Sequence, residues 1–291
     1  MPKTLTVHDF MERFPDDETC LDHVMNVRFG DRPECPKCQR AGKFNRLRSE
    51  RAYACSNCGH HIHPMVGTPF QRTHVPLQKW FYAMYLFTTS RHGVPAKELQ
   101  RQLSVSYETA WRMGHEIRKF MAAIDGDPPI GGEGVHVEID ETMVGGKRSG
   151  GKRGRGAPGK VTVMGMIERG GDVMTRIVPD VKRATLEPHI LAHVKLGSSV
   201  STDELRSYAK LSRLGYKHSA VNHSAEEFVR GEIHVNTAEG FWSLLKRSVR
   251  GTHVHVSHKH LAKYLGEFEF RWNSRKQPEL MLYRLLNGLS S

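Results

Sequence analysis

Three acids and a lysine in the second half of the chain have the types and placements for phosphodiester chemistry. Asp140 closes an alternating apolar run, Val135-His136-Val137-Glu138-Ile139-Asp140, and Asp203 closes a second strand-like run that starts at Ser198. Glu239 opens a predicted helix, and Lys246 lies seven residues further on, so both project from nearly the same helix face. Two strand-end aspartates and a helix glutamate are a donor set for paired Mg2+ or Mn2+ ions acting on phosphodiesters. Acids also collect at strand ends and helix starts for turn and dipole reasons. Each alone fits a structural role; together, on a basic chain, they favour catalysis.

A second set of chemistry-bearing residues lies upstream. Cys35-Pro36-Lys37-Cys38 and Cys55-Ser56-Asn57-Cys58 are separated by sixteen residues. Paired Cys-x-x-Cys knuckles at this spacing predict one structural Zn2+ held by Cys35, Cys38, Cys55 and Cys58. Two redox motifs or an iron–sulfur site are the competing readings. Cys20 stands outside the pattern and reads as a buried or free thiol. His60, His61 and His63 follow closely, but four thiolates already fill a structural site.

The chain has 291 residues and a formal charge of +12. Such an excess of Lys and Arg on a folded composition points to a polyanionic partner, and nucleic acid is expected. A membrane surface competes, but no Lys-rich amphipathic helix or lipidation motif supports it. The first residues lack the basic-then-apolar order of a secretory signal, and Trp80 to Phe87 is too short to span a bilayer. A cytoplasmic location is expected.

The elements that must position these residues fall into four stretches. Residues 1–30 form an N-terminal helical segment, interrupted at Phe14 because Pro15 disfavours helix before it. Residues 31–70 form the zinc ribbon, with Phe44, Tyr53 and Ile62 on short strands, and the metal supplies much of its folding energy. Residues 76–124 read as helices: Leu77 to Ser90, one through Ala96, Leu99 and Leu103, and one from Tyr107 to about Met121 with Ser106 as its N-cap. The last two resemble a helix-turn-helix whose second helix offers Tyr107, Glu108, Thr109, Arg112 and His115 to a major groove; a connecting helical hairpin fits equally well. Asp125 to Gly134 is a linker rich in Pro and Gly.

Residues 130–291 read as one catalytic domain. After Asp140 comes a loop from Gly145 to Lys160 with six basic residues, Lys147, Arg148, Lys152, Arg153, Arg155 and Lys160, and no acid. Solvated surface is the common fate of such runs, but its place beside Asp140 favours contact with phosphates. Val161 to Ile167 and Val173 to Val178 read as a hairpin, and Leu186 to Val194 as a helix. A helix near Leu205 to Leu214, a strand from Lys217 to Val221, and helices at Glu239 to Val249 and His260 to Trp272 complete it. Three early strands, a helix, another strand and then helices describe a ribonuclease-H-like α/β layer fold.

Several long motifs resemble one family. Asp140-Glu141-Thr142-Met143-Val144-Gly145-Gly146-Lys147 looks like the VDETYVGGK-type motif of the zinc-ribbon DDE transposases of bacterial insertion sequences, the ISXO-like group. His234-Val235-Asn236-Thr237-Ala238-Glu239-Gly240-Phe241-Trp242-Ser243-Leu244-Leu245-Lys246-Arg247 looks like its HxNTxEGFWSxLKR motif. Ser201-Thr202-Asp203-Glu204, Val221-Asn222-His223-Ser224, Val256 to Leu261, Phe270 to Asn273 and the N-terminal zone through Arg13 to Glu18 also fit. Met143 departs from the pattern, standing where an aromatic is usual.

The resemblance implies a transposase that binds the ends of an insertion sequence, cuts them and joins the 3′-hydroxyl to target DNA, as a homodimer or higher oligomer on DNA. Asp140, Asp203 and Glu239 would hold two Mg2+ ions, and Lys246 would hold a phosphate as a point charge. The third ligand is open between Asn236 and Glu239. Asn236 and Glu239 also have the spacing of a capping box; a carboxylate neutralises Mg2+ and a carboxamide does not, which favours Glu239. Glu138 shares a strand face with Asp140, whereas Glu141 and Glu204 are expected to point away. His223 and His234 read as surface or supporting residues. The alternatives are a zinc-ribbon and helix-turn-helix DNA-binding protein with an inactive nuclease-like domain, and a nuclease that does not join strands.

Overall fold

A computed structural model describes residues 5–145, 160–221, 234–254 and 256–290. The chain forms two compact units, Met1–Ile124 with Lys276–Ser291, and Asp125–Arg275.

In the first unit, α1 (Val7–Arg13) starts with a reciprocal cap between Thr6 and Asp9. Helix α2 (Asp17–Phe29) follows, with the Asp16 side chain accepting from the Thr19 N–H at 2.7 Å. Strands β1 (Phe44–Arg46), β2 (Tyr53–Cys55) and β3 (His61–Ile62) make an antiparallel ribbon in that order. Helices α3 (Leu77–Thr89), α4 (Ala96–Leu103) and α5 (Tyr107–Asp125) come next. The α4–α5 turn passes through Ser104 at φ 50°, and Ser106 Oγ accepts from the Thr109 N–H at 3.2 Å, the expected N-cap.

The second unit is built on a five-stranded sheet. β4 (Ile130–Gly131) forms a small parallel pair with β8 (Val194–Lys195). The main sheet comprises β5 (His136–Gly145), β6 (Lys160–Glu168), β7 (Val173–Val178), β9 (Ser199–Thr202) and β10 (Lys217–Ala220). Its order is β10-β9-β5-β6-β7; β5, β6 and β7 are antiparallel neighbours, and β9 and β10 run parallel to β5. An antiparallel three-strand meander extended by two parallel strands is the ribonuclease-H-like topology. Helix α6 (Arg183–His193) makes the crossover and packs on one face through Leu186 and Ile190. Helices α7 (Asn236–Ser248) and α8 (His258–Asn273) cover the other through Phe241, Trp242, Leu245, Leu261 and Leu265. Strand alternation divides β5 accordingly: Val137 and Ile139 enter the α6-side core and Val144 the α7-side core.

The fold departs from the sequence-based expectations in four places. Asp140 does not end its strand; β5 continues to Gly145 because β6 pairs with it along its whole length. Leu205 to Leu214 is not one α-helix but two 3-10 turns, Arg206–Tyr208 and Leu211–Leu214. Its apolar residues Leu205, Tyr208, Leu211 and Leu214 recur every third position, which suits three residues per turn, and all four pack into the α6-side core. Helix α7 begins at Asn236, before Glu239. Residues 276–291, assigned by sequence to the catalytic domain, belong to the first unit, where α9 (Met281–Asn287) contacts α2 and α3 and buries Leu282, Leu285 and Leu286.

Candidate active site

Register brings the two aspartates together. His136, Val137 and Glu138 on β5 stand opposite Ser199, Val200 and Ser201 on β9, so the same offset carried two residues further sets Asp140 opposite Asp203. β9 stops at Thr202, so Asp203 lies just past its end, beside Asp140 within the longer β5. The turn after β9 is fixed by Asp203 Oδ1, which accepts from the Leu205 N–H at 3.0 Å.

Asp140 is held from its other side by helix α7. The Trp242 indole N–H donates to Asp140 Oδ2 at 3.0 Å. Gly165 pairs with Asp140 across β6, and a Cβ there would lie 2.5 Å from the Trp242 ring. The missing side chain therefore leaves the room in which the indole reaches the carboxylate. Burial pushes the Asp140 carboxyl up to about 6; the charges of Asp203 and Glu239 push the same way, against hydrogen bonds from the Glu141 N–H and Trp242.

Asp140, Glu141 and Asp203 offer carboxylate oxygens within 4.8 Å of one another. Glu141 was expected to point away; instead its carboxylate reaches this group and accepts from the buried Tyr208 hydroxyl. Tyr208 belongs to the α6-side core, so Glu141 reaches the group from the face of β5 opposite Asp140. Negative groups this close, with one held towards its neutral form, fit a divalent cation, whose charge would relieve both the repulsion and the burial penalty. Glu239 lies outside that tightest group, exposed in the first turn of α7, yet near enough for its charge to act on Asp140.

Asn236 is not a cap. The N-cap residue of α7 is Val235, and no side-chain cap bond is present; Asn236 is the first helical residue. That removes the capping-box reading of the Asn236–Glu239 pair. The helix start is satisfied from β5 instead. Glu138, fully buried, accepts from the Ala238 N–H through Oε2 at 3.0 Å and from Thr237 Oγ1 through Oε1 at 3.0 Å. Arg169 Nε donates to the same Oε1 at 2.7 Å, and His234 Nδ1 lies 3.1 Å from it.

Lys246 is half-buried towards the far end of α7. Burial lowers its pKa and the Arg250 charge adds to that, while Asp140 opposes both. With Ser243, Arg247, Arg250 and Gly251 it lines an open groove of about 550 Å3. The groove continues onto a π-helical turn, Val249–His253, that extends α7. Of the six basic loop residues, only Lys160 is described, at the start of β6; Lys147, Arg148, Lys152, Arg153 and Arg155 lie outside the described residues, as does His223.

In the first unit the four cysteines converge. Cys35 Sγ is 3.6 Å from Cys58 Sγ, and Cys38 Sγ is 3.9 Å from Cys55 Sγ. A tetrahedron of thiolates around zinc has edges of about 3.8 Å for Zn–S bonds of about 2.3 Å. Both knuckles share one backbone pattern. The Gln39 N–H donates to Cys35 O at 2.8 Å and the Gly59 N–H to Cys55 O at 2.9 Å, each from a residue at positive φ. Among the described residues no histidine joins this cluster. Cys20 is buried elsewhere, and burial pushes its thiol up to about 12.

Helix α5 exposes Arg112, Tyr107 and Trp111. Arg112 stacks over Trp80, with its guanidinium carbon 5.8 Å from the ring centre. His115 does not belong with them: it is buried, with Trp111 against its ring at 4.0 Å.

A ribonuclease-H-like sheet with clustered acids on and just after two neighbouring strands, in one chain with a four-cysteine ribbon, is the architecture of a DDE transposase. Residues 131–273 match the ISXO2-like transposase domain, and residues 15–61 match the transposase zinc-ribbon domain. The chain is 30% identical over 289 residues, 92% of its length and 95% of the relative's, to an uncharacterized protein in transposable element ISH50 of Halobacterium salinarum. It is 36% identical over 118 residues, 40% of its length and 94% of the relative's, to an uncharacterized transposase-like protein of Haemophilus influenzae. A chain of the crystal structure of a pre-cleavage Mos1 transpososome aligns over 67% of this chain and 74% of its own, at 13% identity and a TM-score of 0.28. The protein belongs to the ISXO2-like, zinc-ribbon family of transposases. Among the described residues no helix is long and apolar enough to cross a membrane.

Proposed function

We propose that the protein cuts the ends of its own insertion sequence and joins them to target DNA at a centre formed by Asp140, Asp203, Glu239 and Lys246. The observation that supports this reading is the approach of the Asp140, Glu141 and Asp203 carboxylates to within 4.8 Å of one another at the neighbouring strands β5 and β9. Asp140, Asp203 and Glu239 would hold a pair of divalent cations, Mg2+ or Mn2+, which supply Lewis acidity at the attacking and leaving oxygens of an in-line displacement. In cleavage a water oxygen attacks phosphorus and the bond to the 3′ oxygen breaks, releasing a 3′-hydroxyl. In joining, that hydroxyl attacks a target phosphate and displaces a 3′ oxygen there. Trp242 orients the Asp140 carboxylate, and Lys246 faces the phosphate with a fixed positive charge.

Four thiolates, Cys35, Cys38, Cys55 and Cys58, hold one structural Zn2+ in a module spanning residues 31–70. That module and the helices of residues 76–124, with Arg112 on the exposed face of α5, read the element's ends. Lys147, Arg148, Lys152, Arg153, Arg155 and Lys160 contact the DNA backbone. A homodimer or higher oligomer forms on DNA, since two ends must be cut and joined together. The catalytic domain begins near residue 130, and the protein acts in the cytoplasm, where its DNA lies.

Gel-shift and cleavage assays on a duplex carrying the DNA that flanks the gene test this reading. Asp203→Asn is expected to abolish Mg2+-dependent cleavage while end binding stays within about twofold. Glu239→Gln is expected to lose far more activity than Asn236→Ala, because Asn236 caps nothing and carries no charge. Cleavage retained in purified Asp203→Asn refutes the site, and the reverse order of the other pair moves the third ligand to Asn236.

A further inference from the structure

Helix α7 carries Glu239 and Lys246, yet its own N-terminus holds no cap. Val235 at the N-cap offers no side-chain oxygen, and the first turn of any helix leaves backbone N–H groups without intrahelical partners. An ordinary N-cap accepts from the N–H of the second or third helical residue. Here the third helical residue is Ala238, and the oxygen that accepts its N–H belongs to Glu138 on β5, 100 residues away in sequence. Glu138 is two residues before Asp140 on the same face of the same strand.

We propose that Glu138 is a positioning residue for the cleavage centre: it caps α7 from the neighbouring strand and so fixes Glu239 and Lys246 against Asp140. The inference rests on the reading of Asp140, Glu239 and Lys246 as the reacting set.

The clamp is two-sided. One Glu138 oxygen takes the Ala238 N–H, and the other takes Thr237 Oγ1 and Arg169 Nε. Arg169, just past β6, spans the joint: Nε binds Glu138 at 2.7 Å, Nη2 donates to His234 O at 2.9 Å, and its own backbone N–H donates to His136 O at 2.9 Å. Strand β5, the β6–β7 turn and the entry to α7 thus meet on one buried carboxylate. A carboxylate at a helix N-terminus also opposes the positive end of the helix dipole. Trp242 against Gly165 and Asp140 fixes the helix one turn further along. Two attachments along one helix fix both its position and its rotation, whereas Trp242 alone would leave its N-terminal turn to pivot. The arrangement gives His234 and Thr237 of the His234-to-Arg247 motif a shared task that needs no contact with DNA.

The test uses the full-length protein with Mn2+ and the flanking-DNA duplex, at a temperature well below the melting point of every variant. Glu138→Gln keeps the shape but turns an amide towards donors from Arg169, Thr237 and Ala238. Single-turnover cleavage is expected to fall roughly 10²-fold, the cost of a misplaced reacting group, with end binding unchanged within about twofold. Arg169→Lys, a milder change that removes the two-pronged reach, is expected to lower cleavage in the same direction. Adding Val235→Thr to Glu138→Gln supplies an ordinary local cap; it is expected to return the melting temperature and not the cleavage rate. Cleavage at the wild-type rate in Glu138→Gln, or recovery of rate in step with melting temperature on adding Val235→Thr, overturns the proposal. Glu239→Gln run in parallel separates the two readings. If it is inactive while Glu138→Gln is fully active, only the role of Glu138 fails. If it cleaves normally, the underlying site assignment fails as well.

Discussion

Replacing Asp140 with Asn should stabilise the metal-free protein while destroying its activity. The Asp140 carboxyl is raised from 3.8 to about 6, first by burial and then by the charges of Asp203 and Glu239. Below about pH 4 the group is neutral in both the folded and unfolded chain, so it costs nothing. As pH rises, the unfolded chain releases a proton that the folded chain keeps, and stability falls until about pH 6. Above that the penalty is constant at roughly two pKa units, about 3 kcal/mol at about 1.4 kcal/mol per unit. Asn is neutral throughout, and its carbonyl still accepts from the Trp242 indole. For a unit of this size about 3 kcal/mol corresponds to roughly 6–12 °C in melting temperature. Calorimetry of Asp140→Asn against wild type, in buffer free of Mg2+ and Mn2+, should show that gap at pH 8 and its closure towards pH 4. Adding Mn2+ should narrow it at pH 8, because wild type gains binding energy that the variant lacks. An equal or lower melting temperature for Asp140→Asn at pH 8, or a gap that does not change with pH, would refute the electrostatic account of the site.

Gly165→Ala should destabilise the second unit by about 1–3 kcal/mol and slow cleavage, since the new methyl overlaps the Trp242 ring; unchanged thermal melting and rate would show that the indole is not wedged there. Metal analysis should find one zinc per chain in wild type and Cys20→Ser and none in Cys35→Ser; full zinc content in Cys35→Ser would refute the four-thiolate site. Changing Lys152, Arg153 and Arg155 together to Ala should lower the slope of log affinity against log salt by roughly one unit per lost phosphate contact, without changing preference for the element's ends. An unchanged slope would make that loop solvated surface.

What could be read from sequence depended on whether a feature is local. The four cysteines are legible because each knuckle is a closed local turn with the Cys-x-x-Cys spacing of a zinc ribbon. Helices α3, α4 and α5 are legible from apolar spacing and from Ser106, a cap that bonds within its own turn. The acids are visible in sequence as residue types, but their geometry is not, because it lives in register. Alternation from Val135 suggested that Asp140 ends a strand, whereas pairing to β6 carries β5 on to Gly145 and only pairing to β9 stops short. Glu141 keeps the strand alternation, on the α6 side with Tyr208, and still brings its carboxylate within reach of Asp140 and Asp203. The capping box failed for a related reason. Asn236 and Glu239 have the spacing, but the cap is supplied by Glu138 from another strand, and no sequence window contains both partners. Leu205 to Leu214 reads from sequence as one helix, and only packing of Leu205, Tyr208, Leu211 and Leu214 into the α6-side core resolves it into two 3-10 turns. Gly165 and Trp242 carry no sign in sequence of their contact, yet it sets the Asp140 carboxylate. The proposed chemistry of this site therefore lies in residue types that sequence displays, and its geometry in contacts across about 100 residues of chain, Asp140 to Trp242 and Glu138 to Ala238, that only the folded sheet brings together.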